Sequence, residues 1–380
     1  MNIGFLTPEY PHPKTGKSGG IGTSIFNLAR ALVALGHGVN ILVYGQDDDA
    51  YFMEDGLHFY KIKNIKVKGL SLFLTQKKVE KLINNLYDSK KLDIVEAPDW
   101  TGFTAFIKPK CPLVIRENGS DTYFCHLEQR PVKFKNRFLE QRALTKADGL
   151  ISVSAFTGKT TNSLFGLQRD FTVIPNSIDV NLFQPSKNDA SNNLSILYFG
   201  TLIRKKGLLE LPKIFNLVHQ ANSHVTLVLV GPDSADIKTG SSSTWKLMQP
   251  LFSESALKQV RYLGGMAYTA IQDHIKTASV CVFPSYAEAL PVSWLEAMAM
   301  EKAIVASHIG WATEVIENGK EGYLEHPTHH ERYAERILDL LHDPAKRQQF
   351  GMAARDKVKT TFSMEVVAHQ SVDFYAQLIH

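Results

Sequence analysis

Two stretches carry residue types suited to holding an elongated, phosphorylated ligand. In "FPSYAEALPVSWLEAMAM", Glu288 and Glu296 lie eight residues apart, just after an apolar strand-like run. If both were helical they would share a face about two turns apart. With Glu288 in a loop before the helix, they would instead engage different parts of one elongated ligand. Free amides at the helix start suit phosphate oxygens, although Pro291 contributes none. In "YFGTLIRKKGLLEL", Arg204, Lys205 and Lys206 fall between a strand and a helix, where three cations suit a diphosphate. Solvated loops are the plain alternative in both places. The apolar Leu290, Trp294 and Leu295 beside the two glutamates argue against it for the first stretch.

A third stretch, "HPKTGKSGGIG" (12–22), is ambiguous until tested against known loops. Gly16-Lys17-Ser18 matches the end of a Walker A loop, but the glycine required five residues earlier is Pro11. Gly20-Ile21-Gly22 opens a dinucleotide fingerprint, but its third glycine is replaced by Ile25. Both assignments fail. What remains is a flexible backbone at a helix N-terminus, with Gly19, Gly20 and the cation Lys17 forming either an anion site or a connecting turn.

The elements that must position these residues repeat one pattern. "MNIGFLTP" reads as a buried strand, and "TSIFNLARALVALGHG" sets Ile25, Leu28, Ala29, Leu32 and Leu35 on one helical stripe that stops at Gly36-His37-Gly38. "VNILVYG", "LDIVEAPDW", "PLVIREN", "DGLISVSA" and "FTVIPNS" follow as strands. After the polar, linker-like "VNLFQPSKNDASNN", the alternation restarts with "LSILYFG" and "HVTLVLVG", then "QVRYLGG", "SVCVFPS" and "KAIVASH". This predicts an α/β protein of two doubly wound, Rossmann-like domains facing a cleft, with ligands beyond the C-terminal strand ends. The expected division is 1–178, 179–362 and a C-terminal helix, 363–380.

Bulk properties narrow the function. A chain of 380 residues suits two domains. No apolar run reaches the ~20 residues of a membrane span, and the N-terminus enters a strand without a secretory signal. Cys111, Cys125 and Cys281 are isolated, which suits a reduced, cytoplasmic setting and no structural zinc. Residues 1–180 hold 23 basic and 18 acidic side chains, and the remainder 19 and 20. The excess includes "KIKNIKVK" (61–68) and "RPVKFKNR" (130–137). These are either solvated faces or a surface for anionic lipid or an acidic acceptor at the inner face of the membrane. Without a stacking-aromatic motif, nucleic acid is not an expected partner.

Taken together, the three stretches resemble the retaining nucleotide-sugar glycosyltransferases of the GT-B fold, family 4. Glu288 and Glu296 match the family's E-x7-E. "VIPNSIDVNLFQP" (173–185) is similar to its inter-domain entry, "GTLIRKKG" (200–207) to its phosphate loop, and "EKAIVASHIGWATEVIENGKEGYL" (301–324) to the following strand, helix and loop. "GKSGGIG" resembles the Lys-x-Gly-Gly loop of starch and glycogen synthases. The resemblance implies that Glu288 binds donor-sugar hydroxyls, Glu296 the ribose, and Lys206 the diphosphate. Gly19 and Gly20 would let the backbone approach the sugar-diphosphate. Gly231 and Gly265, with Ala289, Leu290 and Val292, would line the donor pocket. It also implies no metal and no cofactor beyond a UDP-, GDP- or ADP-linked sugar as co-substrate.

Three positions depart from the family pattern. Thr201 replaces the usual Arg, so Arg204 or Lys205 is expected to supply the second cation. Ala289 replaces a Gly, and Asn118 stands where the family commonly has a His that contacts the donor sugar, so as a catalytic-site residue it offers a hydrogen bond to a hydroxyl but no titratable group. The implied activity is sugar transfer to a saccharide or lipid-linked acceptor in surface polysaccharide or glycoconjugate synthesis. A non-catalytic nucleotide-sugar-binding subunit and a nucleotide-sugar epimerase are the alternatives. Asp99, Trp100, Arg116 and Tyr123, in loops after strands, are the expected acceptor-side residues. The terminal "SMEVVAHQSVDFYAQLI" (363–379) is expected as a helix, capping its own domain or returning to the first.

Overall fold

The first strand alternates its apolar side chains between the two faces of a sheet: Ile3 and Phe5 join one buried cluster and Leu6 joins another. The same alternation in the next strand sends Val39, Ile41 and Val43 to the first cluster and Leu42 to the second. Strands buried on both faces need helices on both, which is the doubly wound arrangement. The computed structural model describes residues 1–16, 18–185 and 194–379, and it divides into two units, Met1–Ser177 with Ser363–His380 and Ile178–Phe362. Lys17 and most of the linker-like stretch therefore lie outside the described residues.

In the first unit the strands are β1 (Asn2–Thr7), β2 (Gly38–Gln46), β3 (Ala50–Glu54), β4 (Leu57–Lys63), β5 (Ile94–Pro98), β6 (Leu113–Glu117), β7 (Gly149–Ser152) and β8 (Thr172–Val173). They are ordered β3-β4-β2-β1-β5-β6-β7-β8, parallel except for the β3–β4 hairpin at one edge. That hairpin was not expected from the sequence, whose strands there alternate too weakly to announce it. The order reverses at β1 and β5, so the loops after them are where such a sheet receives ligands. Helix α1 (Gly20–Ala34) ends in a Schellman motif: the N–H of His37 donates to Leu32 O at 3.0 Å and that of Gly36, at φ +82°, to Val33 O at 2.9 Å. The stripe closes one residue short of expectation, with Leu35 at the surface. Three further helices matter below: α2 (Ser71–Asp88), α3 (Asp121–Leu127) and α4 (Phe134–Lys146).

The C-terminal helix, Met364–Ala376, belongs to this first unit. Val367, Ala368 and Tyr375 are buried in the cluster that contains Ile3, Phe5 and the inner face of α1.

The second unit carries β9 (Ser195–Phe199), β10 (Thr226–Val230), β11 (Val260–Tyr262), β12 (Val280–Phe283), β13 (Ala303–Ser307) and β14 (Tyr323–Glu325). Their order is β11-β10-β9-β12-β13-β14, all parallel, with the reversal between β9 and β12. Trp294 anchors the helix Val292–Ala299 beneath this sheet, fully buried with its ring 4.6 Å from that of Trp311. No helix among the described residues is long and apolar enough to cross a membrane.

Candidate functional site

In the second unit the residues singled out in the sequence converge on the C-terminal ends of β9, β10 and β12. Three backbone approaches build the floor. Gly200, at φ +136°, donates its N–H to Val230 O. Gly231, at φ +144°, has no room for a side chain, since a Cβ would lie 2.0 Å from Gly200 O. Its own N–H donates to Gly264 O at 2.8 Å, while a Cβ on Gly265 would lie 3.4 Å from Pro232 N.

Beside that floor, Arg204–Lys206 form one 3₁₀ turn closed by Gly207 at φ +70°. A Cβ on Gly207 would fall 1.7 Å from Pro284 O, so the turn and the loop after β12 can touch only because this residue is glycine. Lys205 O then accepts hydrogen bonds from Tyr286 N at 2.8 Å and Ala287 N at 3.2 Å. These main-chain ties hold Glu288 opposite the turn. Lys206 Nζ lies 3.2 Å from Glu288 Oε1, which also accepts from Ser285 Oγ at 3.4 Å. Glu288 is in the loop; the helix begins at Val292, after Pro291, and carries the buried Glu296 one turn in. The two glutamates thus belong to different elements, the second of the two arrangements the spacing left open. Ala289 and Leu290 are buried beside Glu288, and Val292 is half-buried at the helix start.

Arg204 does not take the place expected of a second cation. Its guanidinium forks onto Asp236, Nε to Oδ1 at 2.7 Å and Nη2 to Oδ2 at 2.8 Å, and Asp236 also accepts from the Thr239 amide and hydroxyl. The Arg204 fork holds the Asp236 carboxyl well below the usual carboxylate range. Asp236 lies in the aperiodic run "PDSADIKTGSSS", where nothing ties it to a residue 32 positions earlier.

In the first unit the glycine-rich loop leads into α1 with Gly19 as the N-cap. Glu9, which the sequence reading passed over, accepts the N–H of Gly22 at 2.9 Å. A carboxylate therefore already engages the first turn that was expected to await an anion. Gly22 is the glycine sterically required here, since a Cβ would come within 3.0 Å of Glu9 O, whereas a Cβ on Gly20 would meet open space. An acid two residues beyond β1 was the available signal. Gly19 and Gly20 are both exposed.

The expected acceptor-side residues separate. Trp100, in a 3₁₀ turn after β5, is half-buried. Asn118, expected at the donor sugar rather than the acceptor, follows β6 and is half-buried with its N–H donating to Asp99 Oδ1 at 3.1 Å. Asp99 is buried, and desolvation together with the charges of Glu117 and Glu140 raises its carboxyl well above the usual range. Arg116 and Tyr123 are corrections. Arg116 is buried in a two-point pair with Glu96 (Nε to Oε1 2.7 Å, Nη2 to Oε2 3.1 Å) and donates to Ile174 O, while Tyr375 OH donates to Glu96 Oε2 at 2.6 Å. Tyr123 is fully buried, with its ring edge-on to Phe124. In a strand buried on both faces, a charged residue read as loop-facing turns inward unless the strand ends before it, and β6 runs on to Glu117. Glu117 itself, fully buried next to Asn118, went unremarked in the sequence, although an acid closing an apolar strand is a signal. Burial pushes its carboxyl up to about 8, with neither of its oxygens hydrogen-bonded among the described residues.

The three cysteines are buried and free. Among the described residues no three His, Cys, Asp or Glu side chains converge as a metal site.

Comparison with known proteins bears on this arrangement. Residues 18–182 match the model of Glycosyltransferase Family 4, and residues 180–357 that of Glycosyl transferases group 1. The chain is 25% identical to an alpha-maltose-1-phosphate synthase of Mycolicibacterium smegmatis over 100% of both chains. It is 26% identical to an uncharacterized glycosyltransferase of Methanocaldococcus jannaschii, over 99% of this chain and 98% of that one. Its fold superposes on a sucrose-phosphate synthase from Thermosynechococcus elongatus with a TM-score of 0.80, 18% identity, and 100% and 99% of the two chains covered. Anabaena HepE in complex with UDP-glucose gives a TM-score of 0.77 at 20% identity, covering 99% of each chain.

Proposed function

The chain belongs to the group 1 and family 4 glycosyltransferases of the GT-B fold, and on that premise we propose the finer reaction: transfer with retention at the anomeric carbon, without a metal ion. As a member it is a glycosyltransferase that draws on a nucleotide-sugar donor. The observation that carries the reading is the Lys206–Glu288 pair at 3.2 Å beside the glycine-lined ends of β9 and β10. A lysine there would meet the charge that grows on a diphosphate as the sugar–oxygen bond breaks, usually the largest catalytic contribution. Glu288 would accept from a donor-sugar hydroxyl, and Glu296, on a separate element, from the ribose. With the leaving phosphate oxygen able to take the acceptor proton on the same face, no strong protein base is required.

With Arg204 held by Asp236, the proposed charge stabilisation falls chiefly to Lys206 and the amides at the start of helix Val292–Ala299. The names of the relatives support a sugar-containing acceptor, and we read it as a saccharide or lipid-linked saccharide, met in the cytoplasm. Trp100, half-buried after β5, is the residue proposed to face it, while Asn118 is proposed to hydrogen-bond a hydroxyl of the donor sugar. The test is single-turnover transfer from UDP-, GDP- and ADP-sugars with and without EDTA. Lys206→Ala should lower kcat on the order of 10²–10³-fold. Unchanged rates in both Lys206→Ala and Glu288→Ala, in variants that keep the wild-type melting temperature, would refute the assignment.

A further inference from the structure

Three segments distant in sequence, 64–78, 103–110 and 131–139, contain no Asp or Glu and nine Lys or Arg. The first unit brings parts of all three together. Leu70 and Phe73, at the start of α2, are 54% and 43% exposed. The ring of Phe73 lies 6.0 Å, edge-on, from that of Phe106, and the Arg142 guanidinium of α4 stands 4.7 Å over Phe106. One and two turns before Arg142 on that helix come Phe138, 47% exposed, and Phe134, 84% exposed. Large apolar side chains thus run in sequence from one helix start, across Phe106, to the other.

Cations flank the run. Lys66, Lys68, Lys108, Lys133 and Lys135 are exposed and make no ion pair among the described residues. Lys78 and Lys110, by contrast, are paired with Asp49 and Asp88, and Arg137 is spent on Leu164 O. Exposed phenylalanines cost free energy in water unless something covers them. The unpaired lysines next to them in the chain, Lys68 before Leu70, Lys108 after Phe106, and Lys133 and Lys135 on either side of Phe134, disfavour a second copy of the same patch, which would bring like charges together. Both features suit one occupant: aromatic rings entering the acyl boundary while the lysines meet anionic headgroups.

We propose that this face of the first unit docks on an anionic lipid bilayer. The inference stands on exposure and charge and does not depend on the sugar-transfer reading. The purified full chain should co-sediment with phosphatidylcholine vesicles containing phosphatidylglycerol and much less with phosphatidylcholine alone, and salt should weaken the binding. Lys133→Ala with Lys135→Ala should weaken partition roughly 30-fold, at about 1 kcal/mol per cation. Phe134→Ser with Phe138→Ser should weaken it at least about tenfold, without lowering the melting temperature, because both rings already face solvent. Donor affinity, measured in parallel by calorimetry, should not change in either variant. Equal binding to neutral and anionic vesicles, retention of binding in both variants, or a dimer in vesicle-free solution that the Phe variant dissolves would each overturn the proposal.

Discussion

Glu117 and Lys206 are both charged-type residues just beyond or at a strand end, yet burial gives them opposite characters. Lys206 keeps a carboxylate at 3.2 Å and some access to solvent, so a ligand can reach it. Among the described residues no cation pairs with Glu117, and its carboxyl holds a proton up to about pH 8. Unfolding returns it to an ordinary carboxylate, so between the unfolded pKa near 4.5 and the folded value the native state binds more protons than the unfolded one. Stability from this group is therefore full below about pH 4.5 and is lost as pH rises toward 8, by at most about 5 kcal/mol. Glu117→Gln, which keeps the shape and removes the titration, should flatten the fall in melting temperature between about pH 5 and about pH 8. Scanning calorimetry across that range checks it; a variant that loses stability as steeply as the wild type would place the proton elsewhere, with Asp99 the next candidate.

At the scale of elements, the candidate donor site is held by main chain more than by side chains. The 3₁₀ turn at 204–206 and the loop after β12 meet through Lys205 O and through the bare α-carbon of Gly207. Gly207→Ala would put a methyl 1.7 Å from Pro284 O at a φ of +70°, so the loops must part and Glu288 must move away from Lys206. The expected result is a loss of about 1–3 kcal/mol in stability with a disproportionate loss of donor affinity, read by calorimetric titration. Ala at Gly20, where a Cβ meets open space, is the control and should leave the fold unchanged.

For the molecule as a whole, the chain leaves its first unit at Ser177 and returns at Ser363. The return is not a loose tail: Tyr375 completes the buried Glu96–Arg116 pair through a 2.6 Å hydrogen bond, and Val367 and Ala368 fill the cluster beside α1. Tyr375→Phe should cost about 1–3 kcal/mol by leaving Glu96 short of a donor. Truncation after Phe362 should unfold the first unit outright, since it also strips apolar cover from β1 and α1. Urea denaturation followed by near-ultraviolet circular dichroism separates these outcomes. A nucleotide sugar that binds should raise the transition by RT ln(1 + [L]/Kd), about 2.7 kcal/mol at a hundredfold excess over Kd, which makes thermal shift the direct screen for the donor.

The repeating strand and helix pattern, the doubly wound class and the order of the site-bearing loops were legible because apolar periodicity is local and each strand end is marked by Gly, Pro or a polar residue. The spacing of Glu288 and Glu296 was legible for the same reason, but which of its two arrangements holds was decided by where the helix starts, at Val292 after Pro291. Pairing over distance was not. Nothing in the sequence ties Arg204 to Asp236, or Arg116 to Glu96 and Tyr375, because complementary charges far apart in sequence have many candidate partners. Glycine poses the same problem: a sequence shows that Gly20, Gly22 and Gly207 lack a side chain, but whether a Cβ would meet open space or a carbonyl oxygen depends on what the rest of the chain brings beside it. Those contacts, and the aromatic run assembled from three acid-free segments, exist only where the sheet and its helices have packed.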